Sequence, residues 1–167
     1  MIKNILLTGA AFMLLISFSN CKSGKNNIPM PGMVLYNLKA VGVPLIVNVP
    51  DTSKTKLEIT TLSSGGVQLV SGRNFQLVIN PGEADLNLRK QDITHDDLKK
   101  MKRFLVDEPN TLAWESQIGE LKPEIHFLAN IKIGKQSYSF EDGREADPFS
   151  ESTITQLVDI SKKAKAE

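Results

Sequence analysis

Cysteine, histidine and tryptophan are scarce in this 167-residue chain: it has one Cys, two His and one Trp, and aromatics make up 6%. With no second cysteine there is no disulfide, so an apolar core must hold the fold. Neither His95 nor His126 stands in an H-x-x-x-H or His/Cys spacing, so no metal site is expected. Ser63-Ser64-Gly65-Gly66 lacks the lysine of a phosphate loop, and no G-x-S-x-G is present. No cofactor and no catalytic residue is therefore assigned. Charge of one sign is missing too: 20 Lys+Arg meet 19 Asp+Glu. Nucleic-acid binding, which draws on a basic excess gathered on one face, is excluded.

Long apolar runs are equally scarce, with one exception. Ile5 to Phe18 carries no charge, follows a short start containing Lys3, and leads through Ser19-Asn20 into Cys21. Fourteen residues of helix reach roughly 21 Å, short of the roughly 30 Å hydrocarbon core of a bilayer. The order basic, apolar, polar is that of an export signal. With the cysteine in place it resembles the signal peptide of bacterial lipoproteins, although Phe18 and Asn20 stand where that pattern favours Leu and a small residue. The resemblance covers residues 1 to about 22. It implies that Cys21 is the lipid attachment residue and the first residue of the mature chain, and that the membrane is a partner through that lipid. Lys22 is not the Asp that marks inner-membrane retention, and no acidic cluster follows Cys21. The resemblance thus implies an anchor in the outer membrane with the domain facing the periplasm.

Cleavage before Cys21 leaves 147 residues, one ordinary domain. The expected organisation is a signal peptide over 1–20, a flexible tether over 21–32 (rich in Pro, Gly and Asn) and a single domain over 33–167. Within the domain, Val43, Leu45, Val47 and Val49 alternate with Pro44 and Pro50 among others, which predicts a strand at a sheet edge. Further strands are expected around Leu57 and Ile59, Val67 and Leu69, Phe75 to Ile79, and Ala84 to Leu88. Matching apolar residues across the turns puts a three-residue loop or a bulge near Gly72, and a hairpin across Pro81-Gly82 that sets Leu77 opposite Leu86. Leu98, Met101, Phe104 and Leu105 after a Thr94–Asp97 capping box predict a helix. Strands resume at Leu112, Trp114 and Ile118. Ile125 to Ile133 and Tyr138 to Phe140 form a hairpin over Gly134-Lys135, with Ile131 opposite Tyr138. Ser150 caps a last helix with Ile154, Leu157, Val158 and Ile160 on one stripe.

The predicted class is α+β: a two-layer domain, mostly antiparallel sheet, with two amphipathic helices on one face. Its order of strands, helix, strands, helix resembles that of PsbP/Mog1-like domains found in some bacterial lipoproteins, a likeness of element order alone. The face without helices would carry the outward residues, among them Glu115, His126, Asn130 and Lys132, the candidate partner surface. His126 and His95 are read as solvent-facing, and Glu141–Asp147 as a solvated acidic loop whose carboxylates suit a cation only in part. The expected function is a membrane-anchored envelope lipoprotein whose domain binds or scaffolds an envelope protein or glycan without catalysis. The alternative is a periplasmic enzyme acting on cell-envelope glycan or peptide; a concave pocket with converging titratable groups would favour it, an open sheet face the scaffold.

Overall fold

Two sheets of unequal size share one core in the computed structural model, which describes residues 28–53, 55–143 and 148–167. The segment read as an export signal and Cys21 lie outside the described residues. Among the described residues there are ten strands and two α-helices. The small sheet holds β1 (Met33–Asn37), β2 (Leu45–Pro50) and β10 (Lys165–Ala166) in the order β1-β2-β10. The large sheet comprises β3 (Glu58–Thr61), β4 (Val67–Val70), β5 (Gln76–Pro81), β6 (Lys99–Glu108), β7 (Thr111–Ile118), β8 (Glu124–Ile133) and β9 (Gln136–Asp142). Its order is β3-β4-β5-β9-β8-β7-β6, and every neighbouring pair is antiparallel. The α+β class with mostly antiparallel sheet in two layers is as predicted.

The helices, however, do not share a face. α2 (Glu151–Lys162) lies over β8 and β9 and touches β2. Its Ile154, Leu157, Val158 and Ile160 join Val47 and Val49 of the small sheet and Leu77, Phe127, Ala129 and Phe140 of the large one in a single buried cluster. α1 (Leu86–His95) lies over β6 and β7. Beneath it Ile93 meets Leu112, Trp114 and Leu128 in a second, smaller cluster. Leu112 and Trp114 flank Ala113 in the chain, and Leu128 stands between Phe127 and Ala129, so successive side chains on one strand point to opposite faces. The two helices therefore cover opposite faces of the large sheet. The physical reason is that β7 and β8 are buried on both faces, and a doubly buried strand carries no polar alternation to reveal which helix lies where.

Four other expectations are corrected, three of them in one region. The predicted helix from Leu98 to Leu105 is the strand β6, and its pairing with β7 slips between Met101 and Arg103 and again between Phe104 and Val106. Each irregularity adds a residue and resets the alternation. Met101 and Phe104 thus pack on the smaller cluster and Leu105 and Val106 on the larger, a three-residue spacing that imitates a helical stripe. The predicted strand from Ala84 to Leu88 is instead the entry to α1, where the Asp85 carboxylate accepts from the Leu88 N–H at 2.9 Å. That cap outweighs three alternating apolar residues. The Pro81-Gly82 hairpin is accordingly absent, and Leu77 pairs with Leu69 and with Asp142. In the small sheet β2 is central rather than an edge; Pro44 precedes it and Pro50 closes it, at its ends where proline is tolerated.

Other readings hold. Leu69 faces Leu77, and the Ser71 N–H donates to the Phe75 carbonyl, leaving the expected three-residue loop around Gly72. Ile131 faces Tyr138 and Ala129 faces Phe140 across Gly134-Lys135. Gly134 sits at φ +64° while Lys135 does not take a positive φ, as a II′ turn requires. The Ser150 hydroxyl caps α2 by accepting from the Thr153 N–H. The end of the segment read as tether is docked: the Met30 N–H donates to the Asn48 side chain at 2.9 Å, and Met30 packs on the core.

Candidate functional site

The smaller cluster stops short of the end of the sheet. Where the α1 cover ends, the outer face opens into a cleft of about 320 Å³. Arg89, Asp92 and Asp96 line it from α1 and its cap, Trp114 and Ser116 from β7, Glu124 and His126 from β8, and Glu141 and Asp142 from β9. His126 is at its centre because β8 alternates: Phe127 belongs to the inner core, so His126 and Glu124 share the outer phase.

His126 is held at both ring nitrogens. Its Nδ1 lies 2.7 Å from Asp142 Oδ2, and its Nε2 lies 3.0 Å from Lys99 Nζ and 3.4 Å from Glu124 Oε2. The Asp142 carboxylate only accepts and the Lys99 ammonium only donates, which assigns the proton to Nδ1 and the lone pair to Nε2, so Nε2 accepts from Lys99 and makes no hydrogen bond to Glu124. Asp142 is 4% exposed at its side chain. Its second oxygen accepts from the Phe127 N–H at 2.7 Å, so both oxygens are satisfied, as burial demands. Lys99 forms an ion pair with Glu124 as well as its bond to His126. That lysine holds the Glu124 carboxyl below the ordinary carboxylate range, chiefly by hydrogen bonding, against the opposing effect of partial burial. The Trp114 ring stands 5.6 Å from the imidazole, tilted by 37°. Asp96 turns the chain from α1 into β6 by accepting from the Leu98 and Lys99 N–H groups, which lower its pKa. Ser116 Oγ is buried without a hydrogen-bond partner.

The candidate partner surface divides on this fold. His126, read as solvent-facing, is 21% exposed at its side chain and engaged on both nitrogens. Glu115 lies on the opposite face, opposite Ile125, where Arg103 donates to it at 2.7 Å and also reaches Glu151 at the start of α2. The assumption that Glu115 and His126 point the same way fails because Trp114, not Glu115, faces with His126 across the β7–β8 pair. Asn130 shares the phase of His126, but its amide is spent on Ala84, accepting from its N–H at 2.9 Å and donating to its carbonyl at 2.8 Å. This pins the approach to α1. Lys132 is exposed, toward the Gly134 turn. His95 ends α1 and stays exposed, its Nδ1 2.9 Å from the Gln91 carbonyl.

Of the acidic loop, Glu141 and Asp142 belong to β9, while residues 144–147 lie outside the described residues. Among the described residues no three His, Cys, Asp or Glu side chains gather as a metal ion needs. Asp142, Lys99 and Glu124 are the site residues that sequence reasoning misses: Asp142 falls in a segment that reads as a loop, Lys99 in one that reads as a helix, and Glu124 at the start of a predicted strand. The Glu124-x-His126 spacing was the available signal, since residues two apart on a strand share a face.

No family model matches this chain, and no curated protein and no solved structure matches it. The chemistry must be read from the cleft itself. It holds five carboxylates, on Asp92, Asp96, Glu124, Glu141 and Asp142, against the cations of Arg89 and Lys99. The arrangement can hold a polar ligand between acceptors of fixed orientation and an indole wall.

Proposed function

We propose that the protein is a membrane-anchored envelope lipoprotein, held through Cys21, whose domain binds a component of the envelope in the cleft around His126 without catalysis. The anchor rests on the resemblance of residues 1–22 to lipoprotein signals. No helix among the described residues is long and apolar enough to cross a membrane. A concave pocket of converging titratable groups is by itself the feature expected of an enzyme; the single observation that carries the binding role is that His126 Nε2, at the centre of this cleft, is already bonded to the Lys99 ammonium. A cleft replaces the flat sheet face as the working surface, since α1 covers β6 and β7 on that face.

The Asp142–His126 pair favours a second reading, an enzyme acting on envelope glycan or peptide, because a carboxylate-oriented imidazole is a general base. Against it, Nε2, the atom that would take a proton, is already bonded to the Lys99 ammonium. Binding is the better account of a base so occupied.

Site-specific photocrosslinking in intact envelopes tests the proposal. A crosslinker replacing Leu98, which is 80% exposed beside the cleft, should capture an envelope component, and one at Lys132 should not. His126→Ala should abolish the capture. Cys21→Ala should move the folded domain from the membrane to the soluble fraction. Capture that ignores His126→Ala, or a wild-type Cys21 without lipid, overturns the corresponding half of the reading.

A further inference from the structure

The heart of the cleft already contains a cation. Glu124 and the Nε2 lone pair of His126 converge on one ammonium, that of Lys99, and Asp142 keeps that lone pair available by holding the proton on Nδ1. We infer that this is a receptor for the protonated primary amine of a ligand, and that Lys99 is an internal occupant which the ligand displaces. The inference rests on the reading of the cleft as a binding site and names the chemistry that fills it.

Four observations support it. The acceptors converge on a compact point charge, the geometry of an ammonium rather than the planar fork of a guanidinium. The acid excess of the cleft grows when Lys99 swings out, so an incoming cation meets a stronger field and an incoming anion a worse one. Lys99 is the first residue of β6, at the edge of the large sheet and beside the irregularity at Met101/Arg103. Its stem can therefore turn outward without breaking a central ladder. Finally, Ser116 Oγ, buried on the lining and unpartnered, is a polar group still unspent, where nearly all such groups in folded proteins are paired. Next to Lys99, Leu98 is 80% exposed, and Leu121, beyond the end of β7, is 65% exposed. Both lie within a few residues of cleft-lining positions in the chain, and they offer exposed apolar surface.

An occupant of this kind lowers apparent affinity by the fraction of time it leaves the site, so removing it should tighten amine binding. The test is titration of the full chain in detergent micelles with n-butylammonium, read at the His126 ring nitrogens by NMR. Lys99→Met keeps the stem and removes the charge, and it should bind n-butylammonium about tenfold or more tightly than the wild type if Lys99 fills the site most of the time. Adding Glu124→Gln to that variant should abolish the gain. Butyrate and N-butylacetamide should leave the His126 signals unmoved. Lys99→Gln gives the same comparison should Lys99→Met not fold. Glucosamine and glycinamide then separate an amino-sugar source from a peptide amine, and saturable binding of either in the Lys99→Met chain supports the inference. Equal affinity for n-butylammonium in wild type and Lys99→Met, or preference for butyrate, overturns it. If the amine fails while the crosslink at Leu98 still depends on His126, only the ligand class falls and the binding role stands.

Discussion

Consecutive residues of β8 live in two different environments. Phe127 and Ala129 enter the inner face, where α2 and the small sheet close a continuous apolar core. His126 and Leu128 face the other way, Leu128 into the small cluster under α1 and His126 into the cleft. One face is sealed by two elements and carries the stability; the other has one short helix over it and is left open where that helix ends. The helices match these tasks. α2 buries five residues, whereas α1 buries only Ile93 and is fastened by polar contacts, with Lys90 bonded to Asp107 and lying 5.1 Å over the Phe104 ring. A loosely covered face can hold a hydrated, charged site because neighbouring residues of the same strands have already secured the fold.

The contrast breaks most readily at its largest expected effect. Phe127→Ala should cost about 3–5 kcal/mol, transfer and cavity together, while Leu128→Ala in the smaller cluster should cost about 2 kcal/mol. Denaturant unfolding of both variants decides; equal costs would mean that the two faces are packed alike.

Asp142 sharpens the comparison because it joins the faces. Asp142→Ala leaves the Phe127 N–H without its acceptor and should lose about 1–3 kcal/mol. Asp142→Asn should be milder in stability yet move the imidazole proton to Nε2, since its amide donates where the carboxylate accepted. Ring-nitrogen shifts of His126 report this directly. An unchanged tautomer in Asp142→Asn would show that Asp142 does not orient the ring.

The smallest effect is electrostatic. Glu124 has a folded-state pKa below its ordinary value because Lys99 bonds to its carboxylate. Its contribution to stability is therefore present above the unfolded-state pKa and is lost as pH falls through the folded one. Lys99→Met should raise the Glu124 titration midpoint, followed at its carboxyl carbon, and flatten the acid limb of stability. No shift would mean that the ion pair is not maintained in solution.

Legibility followed the same division between faces. The inner face was readable: the phases of Val43 to Val49, the Leu69–Leu77 and Ile131–Tyr138 registers and the stripe of α2 all appear as predicted. One-sided burial leaves an apolar/polar alternation in the chain, and two-residue turns convert it into register. The outer face was not: β6 imitates a helix because irregular pairing breaks its period, and the entry to α1 imitates a strand. In the small sheet, β1 and β10 are too short, at five and two residues, to show a pattern.

Composition and local pattern alone thus determined the class, the reliance on an apolar core without disulfides, the capped helix α2 and the central hairpins, because each depends on residues near one another in sequence. Tertiary structure decided which face each helix covers and that β5 pairs with β9 rather than with its own downstream segment. It also decided that Lys99, Glu124, His126 and Asp142, drawn from three strands, meet at one point. Those outcomes depend on how strands distant in sequence pair, and a side chain carries no local mark of the partner that a distant strand will bring to it.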